Sequence, residues 1–237
     1  MSLMNRLMDQ AAVLAWLERT GSKKQAAGLA RYGLPTEGAF GVSVGALRDQ
    51  AKRIGKSHEL ALKLWDSGSW EARVLATLID DPAKVTPAQM ENWCRDFDSW
   101  GAVDSACFTL FDRSPHAWKK VAPWSKRRDE FQKRAGFVLM ASLAAHDKSA
   151  KDGAFLKFLP MIEKGASDER NFVKKGVSWA LRGIGHRNAA LYKASVALAR
   201  RLAGSEDRTE RWVGKDVLRD LTRPYVVQKV AKASAKR

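Results

Sequence analysis

The sequence predicts an all-α fold, and three observations predict it. Apolar residues recur at helical spacing along almost the whole chain. No run alternates polar and apolar residues between turn signals. Short breaks rich in Gly, Pro and Ser recur between the periodic stretches. The chain has 237 residues, enough to bury a sizeable core as a single domain over 1–237. Hydrophobic residues at 45% and charged residues at 29% fit an ordinary globular protein.

The elements follow in order. The opening stretch, MSLMNRLMDQAAVLAWLERTGS, is amphipathic and carries Asp9 and Glu18. It lacks the apolar core and cleavage site of a signal peptide. Breaks then fall at Gly21-Ser22, at 34–38, at 55–57 and at 67–69. Further breaks fall at Asp80-Asp81-Pro82, Ser114-Pro115, Ala122-Pro123, Gly165, 185–188 and 204–207. Ser57 is expected to cap the helix that opens His58-Glu59-Leu60, with Glu59 near its positive end. From Gln228 on the chain has four basic and no acidic residues and reads as a fraying helix end.

A weak repeat runs through these helices. Arg73, Arg134, Lys175 and Lys215 each precede a mostly small or apolar helical stretch. Three of them lie about 40 residues apart, the period of two-helix solenoid repeats of the HEAT or armadillo kind. A plain helical bundle offers similar matches by chance. In a solenoid, basic residues on the concave face would make a positive groove.

Charge narrows the partner. Lys plus Arg is 42 against 26 for Asp plus Glu, a net charge of +16. That excess disfavours an acidic scaffold or a cationic substrate and favours nucleic acid or a membrane surface. No apolar run approaches the roughly 18 residues of a membrane span. Cys94 and Cys107 form no CxxC pair, so neither a disulfide framework nor a cysteine zinc site organises the chain, and the cytoplasm is the expected compartment. There is no Walker A loop, dinucleotide fingerprint, HExxH or nucleophile elbow. His58, His116, His146 and His186 are scattered and read as surface or cap residues.

Three features carry candidate chemistry. Trp100, Asp104, Cys107, Phe108 and Phe111 fall 3 or 4 apart and would share one helical face. A carboxylate among aromatics is costly unless something positive faces it. A structural Asp paired with an Arg of the next repeat, or a rim residue, fits the same spacing. Lys174, Lys175, Trp179 and Arg182 form the second feature: Lys175, Trp179 and Arg182 lie at i, i+4 and i+7. Cations beside an aromatic suit a nucleic-acid backbone; a half-buried Trp with snorkelling neighbours reads equally well. The third is the basic run over 113–134, with Trp118 and Trp124 interleaved, which also fits a solvated face.

At these residues the sequence resembles the alkylpurine DNA glycosylases built from HEAT-like repeats, the AlkD type. The resemblance covers most of the chain. It begins at Phe40-Gly41-Val42-Ser43-Val44-Gly45-Ala46-Leu47-Arg48, runs through His58-Glu59 and reaches Trp100-Gly101-Ala102-Val103-Asp104. Asp104 matches the family's catalytic carboxylate and Trp100 an aromatic lining its lesion site. Arg134 matches an Arg beside that carboxylate, Trp179 the second Trp of the site, and Tyr32 a DNA-contacting Tyr. Where the family can show two adjacent aromatics, this chain has Asn171-Phe172. The resemblance implies an all-α superhelix of HEAT-like repeats with a basic groove. It also implies hydrolysis of the N-glycosidic bond of N3- or N7-alkylated purines in double-stranded DNA, leaving an abasic site. Lys174, Lys175, Arg182 and Phe172 would hold the DNA backbone. The expected state is a cofactor-free monomer in the cytoplasm, on the nucleoid when bound to DNA. A paralogue that binds distorted or branched DNA without chemistry is the alternative, and a protein-binding scaffold is a further one that the positive charge disfavours.

Overall fold

The computed structural model describes residues 8–234. Every regular element among them is helical, and no strand occurs among them. The chain divides into two compact units, 1–115 and 116–237.

Unit one holds α1 (Gln10–Thr20), α2 (Lys23–Gly28), α3 (Val44–Ile54), α4 (His58–Asp66), α5 (Trp70–Ile79), α6 (Pro87–Arg95) and α7 (Trp100–Thr109). Two 3-10 turns, Leu29–Tyr32 and Phe111–Arg113, complete it. Its core is aromatic. Trp65 of α4 stacks on Trp93 of α6 with ring centroids 3.9 Å apart, and Phe97 and Phe111 pack around the pair. Side chains of Ser43, Ser69, Thr86 and Ser99 cap the helices that follow them.

Ser57 does stand at the N-cap of α4, but its hydroxyl makes no capping bond. Its backbone N–H instead donates to the Ile79 carbonyl at 2.8 Å, and His58 Nδ1 meets Asp80 Oδ1 at 2.7 Å. The start of α4 is thus tied to the end of α5, and tertiary bonds replace the local cap. Gly41 shows the same close docking. It has φ +77°, and a Cβ there would lie 2.1 Å from the Ser22 carbonyl. Its N–H donates to the buried Glu71 carboxylate at 2.6 Å. The Phe40-Gly41-Val42 signature is therefore a backbone junction between α2, α3 and α5.

Unit two holds α8 (Ala117–Trp124), α9 (Glu130–His146), α10 (Asp152–Leu156), α11 (Leu159–Gly165), α12 (Asn171–Gly185), α13 (Ala189–Ala203), α14 (Arg208–Leu221) and α15 (Pro224–Ser234). α9 is its central helix, buried from Arg134 through Ala144 and packed against α8 and α12. Arg187 closes its C-terminus, donating to the carbonyls of Ala144 and Asp147 at 2.8 Å each. A cation there complements the negative end of the helix.

Sequence spacing misleads at two places. The break expected at Ala122-Pro123 falls later, because Pro123 sits in the last turn of α8, which ends at Trp124. The chain from Gln228 is helix to Ser234; residues 235–237 and 1–7 lie outside the described residues. Trp118 and Trp124 are not interleaved with the basic residues as a contact face. Trp124 is fully buried, and Trp118 stacks on Phe158 while donating its indole N–H to Asp147 at 3.0 Å. Apolar area outweighs the charge of their neighbours in sequence.

All four histidines stand at helix ends, and His186 Nε2 meets Asp220 Oδ2 at 2.7 Å. No helix among the described residues is long and apolar enough to cross a membrane.

Candidate nucleic-acid interface

In unit one the candidate residues gather on α7. Arg73 of α5 fixes the approach to this helix. It pairs with Asp98 at 2.9 Å and donates to the Asp96 carbonyl at 3.1 Å. Ser99, fully buried, then caps α7 through the Ala102 N–H.

The first turn of α7 needs a glycine. A Cβ on Gly101 would come within 2.7 Å of a Leu34 methyl and 2.8 Å of Trp70 Nε1. That close approach brings Trp100 against the 3-10 turn before Leu34, and its indole Nε1 donates to the Tyr32 carbonyl at 2.7 Å. Two residues chosen 68 positions apart in sequence are thus hydrogen-bonded neighbours. Tyr32 itself is 56% exposed, with the Arg31 guanidinium over its ring at 4.8 Å.

Asp104 lies one turn after Trp100 and is half-buried. It is the only charged residue in α7, whose buried positions are Gly101, Ala102, Val103, Ala106 and Cys107. Trp100, Asp104 and Phe108 are all half-buried, and Cys107 is buried. Phe111 does not belong to that helical face. α7 ends at Thr109, Leu110 turns away with φ −131° and ψ −61°, and Phe111 enters the core beside Trp93.

In unit two the candidates divide between α9 and α12. Arg134 is buried on α9 and donates from Nη1 to the Phe172 carbonyl at 2.7 Å. The Phe172 N–H in turn donates to Glu130 at 3.0 Å, and its ring packs on Phe131 at 5.4 Å. Arg134 and Phe172 are therefore brought together, at the first turn of α12. Phe131 was missed by the sequence reading. Beside Asn171, it supplies the second ring next to Phe172 from another helix.

Further charges flank this turn. Asp168 accepts from Arg170 Nη2 at 2.6 Å and from Lys133 at 2.7 Å. The Arg170 guanidinium, with Lys133, holds the Asp168 carboxyl well below the usual carboxylate range despite its partial burial.

Along α12 the expected face splits. Val173, Gly176, Val177, Ala180, Leu181 and Ile184 form the buried stripe. Lys175 is exposed and Trp179 half-buried. Arg182 turns towards α14, where its Nε lies 4.0 Å from Asp216 Oδ2. Lys174 also turns there, its Nζ 5.2 Å from the ring centroid of Trp212. Both α14 residues were missed, although Trp212, Lys215, Asp216 and Arg219 repeat at helical spacing.

Among the described residues no three of His, Cys, Asp and Glu are grouped to hold a metal ion.

No curated protein matches the chain. Among solved structures it is similar to a member of a new family of proteins related to the HEAT-like repeat DNA glycosylases, with affinity for branched DNA structures. The TM-score is 0.76 at 21% identity, covering 90% of this chain and 95% of that one. The fold is thus all-α and of the HEAT-like repeat kind. A designed armadillo repeat protein in complex with the peptide (KR)4 matches with a TM-score of only 0.31 at 16% identity, over 97% of this chain and 84% of that one, too low to bear on the fold. The family model for the DNA alkylation repair enzyme matches residues 13–221, almost the whole chain, and the protein belongs to that family.

Proposed function

We propose that the protein is a monofunctional DNA glycosylase that hydrolyses the N-glycosidic bond of N3- or N7-alkylated purines in double-stranded DNA. One observation carries this reading: a single carboxylate, Asp104, on an otherwise uncharged helix, one turn from Trp100, in a chain of the DNA alkylation repair family.

The chemistry asks for little more. Alkylation at N3 or N7 makes the purine cationic, so it leaves without strong acid catalysis. What remains is to stabilise an oxocarbenium-like sugar and to orient a water. An ionised Asp104 does both. The Trp100 ring offers a negative π-face to a cationic base or sugar, and the hydrogen bond to Tyr32 fixes its plane. Trp179 offers a further aromatic surface to the bound strand, and Arg134 a buried positive charge. Lys174, Lys175 and Arg182 neutralise backbone phosphates, Phe172 packs on the sugar, and the exposed Tyr32 ring meets the strand. No step draws on a cofactor. The product is an abasic site, and the acting species is the monomer.

The test is release of methylated purine from methylated duplex DNA, wild type beside Asp104→Asn. A second reading has its own observation: the structural neighbour has affinity for branched DNA structures. On that reading this chain binds such DNA and releases no base, so the same assay separates the two.

A further inference from the structure

The seam between α12 and α14 shares Lys174 and Arg182 with the proposed DNA-backbone contacts, but its other members, Ser178, Trp212, Lys215, Asp216 and Arg219, have no part in the proposed glycosylase site. On α14, Trp212, Lys215, Asp216 and Arg219 fall on one face. α12 meets them with Lys174, Ser178 and Arg182, each four residues from the next. Ser178 Oγ donates to Asp216 Oδ2 at 2.6 Å, Arg182 Nε lies 4.0 Å from the same oxygen, and Arg219 pairs with Asp216 Oδ1. Lys174 Nζ sits over the Trp212 ring at 5.2 Å. Trp212 is 36% exposed, Lys215 is exposed, and the Arg219 side chain is 70% exposed. Arg182 and Arg219 thus flank one carboxylate, Lys174 lies at one exposed indole, and Lys215 is exposed on the same face of α14.

We propose that this seam is a second nucleic-acid contact, one that takes unpaired nucleotides of a DNA strand. The inference rests on the reading that the protein binds DNA. The cations call for a polyanion. The indole decides which form of it. In a duplex each base face is covered by its neighbours, and only edges and phosphates are presented. An exposed Trp offers a face, which gains most from a base that has lost its stack. Trp212 therefore stacks on an unpaired base, while Lys174, Lys215 and Arg219 take the phosphates on either side. Asp216 moderates the contact: it occupies Arg182 and Arg219 and opposes an incoming phosphate.

The experiment compares a blunt duplex with the same duplex carrying a single-stranded overhang of about ten nucleotides, within the span one such binding surface covers. Binding of the full-length protein is read by anisotropy. Wild type should prefer the overhang. Trp212→Ala should lose roughly 5- to 100-fold on the overhang, the range for one base–aromatic stack, and stay within about twofold on the blunt duplex. Trp212→Phe should keep most of the preference. Asp216→Asn should bind the overhang more tightly and with a steeper salt dependence. If Trp212→Ala melts early, the double variant Lys215→Ala, Arg219→Ala reads the same preference with the indole intact.

Equal binding of both substrates by wild type, or an unchanged preference in these variants, overturns the inference and leaves DNA binding standing. Tighter capture of a Glu-rich peptide than of the overhang, lost in Trp212→Ala, assigns the seam to a protein and also overturns it. Failure to bind either DNA removes the underlying reading and the inference with it.

Discussion

α7 in unit one and α12 in unit two carry most of the candidate residues, on opposite plans. α7 has one charge in ten residues and is placed by packing: Gly101 against Leu34 and Trp70, Trp100 against the Tyr32 carbonyl. α12 has Lys174, Lys175 and Arg182 and no acid, and its polar side is ordered by partners on α14. Chemistry on a leaving purine needs a carboxylate held to a fraction of an ångström, which a rigid apolar setting provides. Grip on a backbone needs charge, which tolerates looser placement. Damage to α7 should therefore lower the rate, and damage to α12 should lower affinity and its salt dependence.

The largest effect is expected at Asp104, where loss of the charge should slow release by about 10²–10³-fold. Next comes Gly101→Val. The added methyls meet Trp70 and Leu34, so thermal unfolding should show a loss of about 1–3 kcal/mol, and release should fall with it. An unchanged melting temperature would mean that α7 can shift freely, against the comparison above. Trp100→Ala and Trp179→Ala should each weaken release by about 1–3 kcal/mol. Trp100→Phe sharpens the test: it keeps a ring but leaves the Tyr32 carbonyl without its donor, at about 1 kcal/mol of stability.

On α12 the prediction concerns salt. With about six phosphates contacted, log K should fall against log salt with a slope near −5, from about −0.9 per phosphate. Lys174→Ala or Lys175→Ala should each reduce that slope by about one. Arg182→Ala should reduce it by less, because Asp216 already shares its charge. Equal changes for all three would show that the Asp216 pairing gives way fully on binding.

The smallest effect is a pH limb. Arg170 and Lys133 lower the Asp168 carboxyl below its ordinary value of 3.8. A carboxylate lowered on folding adds stability that is complete above the unfolded value and is lost as pH falls towards the folded one. Melting temperature should therefore drop below about pH 4, and Asp168→Asn should make that drop shallower. A limb of identical steepness in the variant would remove Asp168 from the account.

The helical class was legible because periodicity and breakers are local. So was the Trp100–Asp104 spacing, since one turn of helix fixes it. What escaped was set by contacts distant in sequence. Ser57 looked like a capping side chain, but the Ile79 carbonyl takes its backbone N–H. Trp124 sat in a basic run yet is core. Phe111 fitted the α7 period, but the helix stops two residues before it. Arg182 fitted a face with Trp179, but Asp216 lies 34 residues on and draws it to α14.

The most direct test is single-turnover release of methylated purine, with wild type and Asp104→Asn at equal saturation with methylated duplex. Asn keeps the shape of Asp and removes its charge. Wild type should release base, and Asp104→Asn should be slower by about 10²–10³-fold while binding DNA at least as tightly. Rates agreeing within a few-fold would make Asp104 a structural residue, and no release by wild type would leave a DNA-binding protein without this chemistry.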